Sequence, residues 1–202
     1  EYVRVKVGKV DDKFIASPLA RGAGAAMSLV RADGFCIIEQ SSEGVEAGDR
    51  VQIELYRSRD EIEKTAVVIG SHDLILDVMA DMLAENYDDV FISSTHVGSM
   101  GGLMALKRGE AHMAPVHLLD EATGEYNIAY IKKMFREPMA LIKGVHRIQG
   151  IMVKKGNPLD IKSLENIADR NVRYVNRQRG AGTRVLLDYR IKCLGIEPEH
   201  IN

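Results

Sequence analysis

The chain contains no tryptophan, and aromatic residues make up only 5% of it. A surface that stacks nucleic-acid bases needs aromatic platforms and a basic stripe. Here 27 Lys and Arg stand against 29 Asp and Glu, for a formal net charge of −2. That near-balance also removes the electrostatic case for an anionic membrane surface. No apolar run approaches the ~20 residues needed to span a bilayer, and no signal peptide is visible. The expectation is a cytoplasmic protein with no nucleic-acid and no membrane partner. Cysteine is scarce: Cys36 and Cys193 lie far apart in apolar surroundings, so two buried free thiols are expected rather than a disulfide framework. The six histidines (His72, His96, His112, His117, His146 and His200) show no metal-ligand spacing such as His-Glu-X-X-His, and no metal site is expected.

What is present suits a globular protein with a real core. Hydrophobic residues make up 46% of 202 residues, enough for one or two compact units. The chain starts at Glu1 without a methionine and reads as an excised fragment. Residues 2–7 alternate Val3, Val5 and Val7 with Tyr2, Arg4 and Lys6, the pattern of a half-buried strand. Asp11-Asp12 marks a turn and residues 13–16 a return strand. The small-residue segment 22–32 predicts one or two helical turns, and residues 35–39 and 50–56 predict further strands. Short strands between turn signals indicate a small, mostly-β unit.

Three stretches of this segment carry a resemblance: Glu1-Tyr2-Val3-Arg4-Val5, Ser28-Leu29-Val30-Arg31-Ala32-Asp33-Gly34-Phe35 and Glu43-Gly44-Val45-Glu46-Ala47-Gly48-Asp49-Arg50-Val51. Together they make residues 1–57 similar to the C-terminal domain of the molybdopterin molybdotransferase (MoeA, gephyrin E-like) family. The resemblance implies a small β-barrel-like domain next to a catalytic domain that inserts molybdenum into molybdopterin, the parent being a transferase. No residue of the segment matches an active-site motif, and Gly34, Gly44 and Gly48 read as turn glycines.

Residues 57–64 are charged and poor in apolar side chains, so they read as a connector between domains. Beyond them the pattern changes. Residues 65–69 form an apolar β run, and residues 74–86 an amphipathic helix with Leu74, Val78, Met79 and Met82 on its apolar side. Residues 90–92 form a second β run, residues 100–108 a helix ended by Gly109, and residues 112–119 a third β run. Such alternation predicts a parallel sheet with helices on its faces. Residues 139–153 read as a long β-type segment crossing between lobes. Residues 154–158 read as a turn, and Ser163 as the cap of a helix over 164–169.

The matching residues are Gly70-Ser71-His72-Asp73, Ser94-Thr95-His96-Val97-Gly98-Ser99-Met100-Gly101-Gly102-Leu103, Lys155-Gly156-Asn157-Pro158 and Asn176-Arg177-Gln178-Arg179-Gly180-Ala181-Gly182-Thr183-Arg184. They make residues 64–202 similar to the type II periplasmic-binding-protein fold, and in particular to the LysR-substrate-like domain found behind molybdotransferase domains. The fold class expected is therefore mixed: a β-barrel-like domain followed by a C-terminally truncated α/β domain. Its first lobe would cover about 64–147 and a partial second lobe about 148–202.

In an open α/β sheet, ligands bind beyond the carboxyl ends of the strands, at helix N-termini. The hydroxyls Ser71, Ser94, Thr95 and Ser99 fall there, and Gly180, Gly182 and Thr183 fall in a glycine-rich turn that opens a helix. Neutral donors and helix dipoles suit a molybdate- or tungstate-like oxyanion, whereas Arg177 and Arg184 suit a carboxylate or a molybdopterin-related phosphate. The same serines also serve as ordinary caps. Ser71-His72-Asp73 contains the residue types of a hydrolase triad, but adjacent residues on one turn cannot converge as a triad must. Gly98-Ser99-Met100-Gly101-Gly102 lacks the nucleophile elbow. Met79, Met82, Met100, Met104 and Met113 fall at core spacings and read as packing. No catalytic residue and no cofactor is expected in the chain itself. The expected partners are a small anion and the parent insertase domains. The alternative is a non-catalytic interaction domain with a degenerate cleft, acting as a homodimer.

Overall fold

Strand β1 (Tyr2–Val10) changes its buried side part-way along. Val3, Val5 and Val7 are buried on one face, then Gly8 and Val10 on the other. One strand therefore serves two cores. Val3, Val5 and Val7 pack with Cys36 and Ile62, whereas Val10 packs with Val67, Ile69, Ala105 and Ala111. The computed structural model describes residues 1–19, 27–169 and 172–197. The chain divides into two compact units, Glu1–Val116 and His117–Asn202.

In the first unit β1 pairs antiparallel with β2 (Lys13–Pro18) through a turn at Asp11, whose φ of 52° an aspartate tolerates. On its other edge β1 pairs with β3 (Gly34–Ile37), which in turn pairs with β4 (Ile53–Leu55). The order β2-β1-β3-β4 is an open antiparallel sheet, and among the described residues no sheet closes. The barrel-like expectation thus reduces to a small antiparallel sheet. Of the small-residue segment 22–32, residues 22–26 lie outside the described residues, and α1 (Met27–Arg31) is helical.

The charged stretch 57–64 is not an extended connector. It forms α2 (Arg59–Glu63), opened by a capping box in which Ser58 and Glu61 bond each other's backbone N–H. Its one apolar side chain, Ile62, is fully buried against Val3, Val5 and Val7.

Strand β5 (Thr65–Gly70) runs parallel to β6 (Phe91–His96), with α3 (Leu74–Asn86) between them and α4 (Gly98–Lys107) after them. Residues 112–115 follow the other edge of β5. His112 N–H donates to the Val67 carbonyl, and the N–H groups of Ile69 and Ser71 donate to the carbonyls of Met113 and Pro115. The third β run is thus present only as an isolated parallel bridge. Val67 N–H bonds the His112 ring instead of a carbonyl, and Pro115 has no N–H to continue the ladder.

The apolar side expected for α3 is the wrong one. Leu76 is buried, with Ala80 and Leu83 half-buried beside it, whereas Leu74 is 71% exposed, Val78 48%, Met79 41% and Met82 58%. The helix is apolar around most of its circumference, and 3.6-residue spacing selects a stripe without saying which stripe docks. Met100, Met104 and Met113 are exposed as well.

In the second unit the bridge Leu119–Tyr126 is held by Asn127, whose φ is 69° and whose Oδ1 accepts the Leu118 N–H. α5 (Ile128–Met134), α6 (Leu164–Asp169) and α7 (Gly182–Cys193) follow. Residues 139–153 form no strand, with Ile148 92% and Met152 98% exposed. Their β-type composition meets no neighbouring strand among the described residues, so the backbone has no ladder to join. Residues 172–175 likewise form no strand. Gly156 turns at φ 80°, and Ser163 Oγ accepts the Asn166 N–H at the start of α6, both as expected. Cys36 is buried, but Cys193 is exposed, contrary to a pair of buried thiols.

Candidate functional site

The carboxyl ends of β5 and β6 lie side by side, because Gly70 and His96 are register partners and Val97 N–H donates to the Gly70 carbonyl. Each strand then turns into a helix. Asp73 caps α3 through its Oδ1, which accepts the Ile75 N–H at 3.0 Å. The start of α4 has no side-chain cap, and Gly98 opens it at φ 78°.

Gly102 holds α4 against β5. A Cβ at this position would lie 2.5 Å from the Ile69 carbonyl oxygen and 2.7 Å from Gly70 Cα, so only glycine permits the approach. A motif that reads as a plain glycine-rich helix start is thus a packing device for a strand end.

Of the hydroxyls expected beyond the strand ends, Ser71 follows β5 and Ser99 lies in the first turn of α4, whereas Ser94 and Thr95 lie inside β6, in register with Val68 and Ile69, because the strand runs on to His96. Ser71, Ser93 and Ser99 are buried at 7%, 3% and 8% exposure. Thr95 is half-buried. Ser94 differs from its neighbours: its Oγ is buried and has no hydrogen-bond partner. Buried hydroxyls are nearly always bonded, so an unsatisfied one asks for an explanation.

Two histidines complete the rim. His72 Nδ1 and His96 Nε2 are 3.2 Å apart, and the rings meet edge to face with centroids 4.3 Å apart. Burial lowers the pKa of His96 below the ordinary histidine value. The neighbouring His72 and, more weakly, Arg31 push the same way, while Asp77 opposes them. Both rings are exposed, His72 in the loop after β5 and His96 at the end of β6; their direct pairing is not legible in the sequence. A broad groove of about 2150 Å³ in this unit is lined mostly by residues between Glu1 and Leu55; Thr95, His96 and Val97 lie on its wall, but Ser71, His72, Ser94 and Ser99 do not. Among the described residues no group of three or more His, Cys, Asp or Glu could hold a metal ion.

The remaining expected residues belong to the second unit. Ala181, not Thr183, is the N-cap of α7, without a side-chain cap bond, and Thr183 is exposed in the first turn. Gly180 sits at φ 83° in open space. Gly182 serves closeness of another kind, since a Cβ there would lie 3.1 Å from the His117 ring. Arg184 is engaged by Asp188 one turn on, with Nε 2.8 and 2.9 Å from the two carboxylate oxygens. Arg177 Nε donates to the neighbouring Gln178 side chain at 3.2 Å.

The model of the PBP superfamily domain matches residues 80–202. The chain belongs to the PBP superfamily. The model of the MoeA C-terminal region (domain IV) matches residues 1–56, so a MoeA-type C-terminal region precedes the PBP domain in one chain. A curated relative, the uncharacterized protein YvgK of Bacillus subtilis (strain 168), is 32% identical over 136 residues. Those residues are 67% of this chain and 44% of that protein, so the chain spans less than half of the relative's length. No solved structure matches the chain. The PBP domain match contains every expected site residue except Ser71, which precedes it. No helix among the described residues is long and apolar enough to cross a membrane.

Proposed function

We propose that the loops closing β5 and β6 bind a small anion, either a molybdate- or tungstate-type oxyanion or an anionic metabolite related to molybdopterin. The chain would serve molybdenum cofactor biosynthesis by delivering or sensing that anion for insertase domains of the parent protein. The observation that carries the reading is the buried, unpartnered Oγ of Ser94. It lies in β6 two residues before the strand ends, and the buried Ser71 and Ser99 follow the ends of β5 and β6. A hydroxyl that donates to a desolvated anion gains a charge-assisted hydrogen bond where it otherwise has none. The uncapped start of α4 adds N–H groups and the positive end of a helix dipole. The MoeA-type region in the same chain supports the molybdenum context.

Calorimetry with molybdate, tungstate and sulfate tests the reading. Saturable heat with at least one of them, reduced by Ser94→Ala, is expected; no heat with any would overturn it. One observation favours a second reading, an interaction domain that dimerises. Leu74, Ile75, Val78, Met79 and Met82 form one exposed apolar stripe on α3, and such a stripe suits a second copy of the chain. Ultracentrifugation distinguishes the two: a tight dimer abolished by Met82→Glu supports the second reading, and a monomer at every concentration removes it.

A further inference from the structure

We infer that the His72–His96 pair makes anion binding at these strand ends proton-linked, the site taking up one proton with each dianion it binds. The inference rests on the proposed anion site and names its ligand class and its regulation.

The geometry supplies the reason. Ring nitrogens 3.2 Å apart must share a hydrogen bond, with one ring donating the bridging proton and the other accepting it. In the neutral pair, whichever ring donates, one outer nitrogen carries a proton and the other is an acceptor. An acceptor aimed at an anion repels it. One added proton makes both outer nitrogens donors and gives the pair a single positive charge. A second proton would break the bridge and set two like charges side by side. The pair therefore has one useful charged state.

The surroundings of His96 weigh against a charge on that ring. Burial and Arg31, on α1, disfavour a charge on His96, and Asp77, on α3, favours it. On the side of His72, Asp73 already accepts the Ile75 N–H at the start of α3. The first turn of α4 begins two residues beyond His96 and adds the positive end of its dipole. A dianion supplies the negative charge that tips this balance, and a proton enters with it. Linkage then fixes the sign: binding strengthens as pH falls through the range in which the free pair is neutral.

The test is calorimetry on the full chain with molybdate and with sulfate, from about pH 6.5 to 8.5, in buffers of different ionisation enthalpy. Expected are an uptake of about one proton per anion and an affinity that falls about tenfold per pH unit over the upper part of the range. The double variant His72→Gln/His96→Gln should abolish the buffer dependence and flatten the pH profile while leaving measurable binding. Anion heats that do not depend on buffer or pH would overturn the proton linkage and leave the anion site standing. Absence of heat with either anion at every pH would overturn both. Proton NMR of the imidazoles in the free chain supplies a readout that needs no anion. The His96 imidazole is expected to titrate at higher pH in His72→Gln than in the parent chain. An unchanged His96 titration would refute the pairing.

Discussion

Asp33 is the residue whose removal should cost the first unit most. Its side chain is completely buried. Oδ2 accepts the Val7 N–H at 2.8 Å, and Oδ1 accepts Lys6 Nζ and Arg57 Nη1, each at 3.0 Å. Its backbone N–H donates to the Val5 carbonyl, and its carbonyl accepts the Tyr56 N–H. The carboxylate thus ties β1 to Arg57, which also stacks on the Phe91 ring at 4.5 Å, while the backbone of Asp33 makes the link to the end of β4. Asp33→Ala leaves a buried N–H and two cations without their acceptor. Removing one partner of a buried pair costs about 3–5 kcal/mol, of which the orphaned N–H accounts for about 1–3 kcal/mol. Lys6 and Arg57 side chains retain 16% and 23% exposure, so water recovers part of their loss. The lower half of the range is expected.

Asp33→Asn separates the two contributions. Its amide oxygen can still accept the Val7 N–H, but its NH₂ group then faces both cations. If the charges matter, this variant costs about 2 kcal/mol or more. If only the backbone acceptor matters, it costs little. Urea unfolding of the full chain followed by circular dichroism measures both variants, with unchanged slope as the check that stability alone has moved. In a thermal scan the alanine variant should melt roughly 10 °C lower. An asparagine variant within about 0.5 kcal/mol of the parent, the scatter of ordinary surface changes, would refute the ion-pair reasoning. Lys6→Met in the same background completes a double-mutant cycle.

Gly102→Ala should destabilise the first unit despite alanine's better helix propensity. The propensity gain is ~1 kcal/mol, whereas a Cβ 2.5 Å from a carbonyl oxygen forces backbone apart at about 1–3 kcal/mol; a higher urea midpoint would contradict this. Ser94→Ala should leave stability within about 0.5 kcal/mol, since its Oγ bonds nothing, yet weaken molybdate binding roughly 10-fold or more. Equal loss of both, read by calorimetry and urea unfolding, would make Ser94 a structural residue. Glu61 has its pKa lowered chiefly by the Ser58 hydroxyl and then by the Ser58 backbone N–H. A carboxyl held below its ordinary value stabilises above that value and loses the contribution as pH falls through the depressed one. The stability difference between the parent and Glu61→Gln should therefore shrink on acidification below the usual glutamate range; a difference that stays constant to pH ~3 would refute the capping role.

Elements whose packing partner is implied by their own pattern were legible in the sequence. The alternation of Val3, Val5 and Val7 fixes a buried face, and the turn aspartates Asp11 and Asp12 and the cap Ser163 mark element ends. The places of Ser71 and Ser99 were legible too, because strands alternating with helices put such loops at one edge of a sheet, but β6 runs on through Ser94 and Thr95 to His96. What failed depends on partners far away in sequence. Nothing local tells which stripe of α3 docks, or that residues 139–153 find no ladder. Asp33 looks like a turn residue until Lys6 and Arg57, 27 and 24 positions away, converge on it. One missed element did carry a local sign: Ser58-Arg59-Asp60-Glu61 is a capping-box sequence, and charge content hid the helix that it announces. His72 and His96, 24 positions apart, pair only because β5 and β6 place their ends in register.

The border between the two families is not a border in packing. The MoeA-type match ends at residue 56 and the PBP match begins at residue 80, yet the first compact unit runs to Val116. Gly8 explains how. A Cβ there would overlap the Val67 side chain, so glycine lets β1 lie directly against β5. Val10 then joins Val67, Ile69 and Ala105 in one core, each at 6% exposure or less. Separating the two segments would return that apolar surface to water at about 25 cal/mol per Å². β5 is consequently fixed along its length, by Gly8 and Val10 of β1 near Val67 and by Gly102 of α4 at Ile69 and Gly70. The loop that leaves Gly70 carries Ser71 and His72. A binding loop gains precision from the rigidity of the strand that launches it, and here the MoeA-type sheet packs against that strand through Gly8 and Val10. The first region thus gives the proposed anion site its footing, a physical reason for the two families to share one chain.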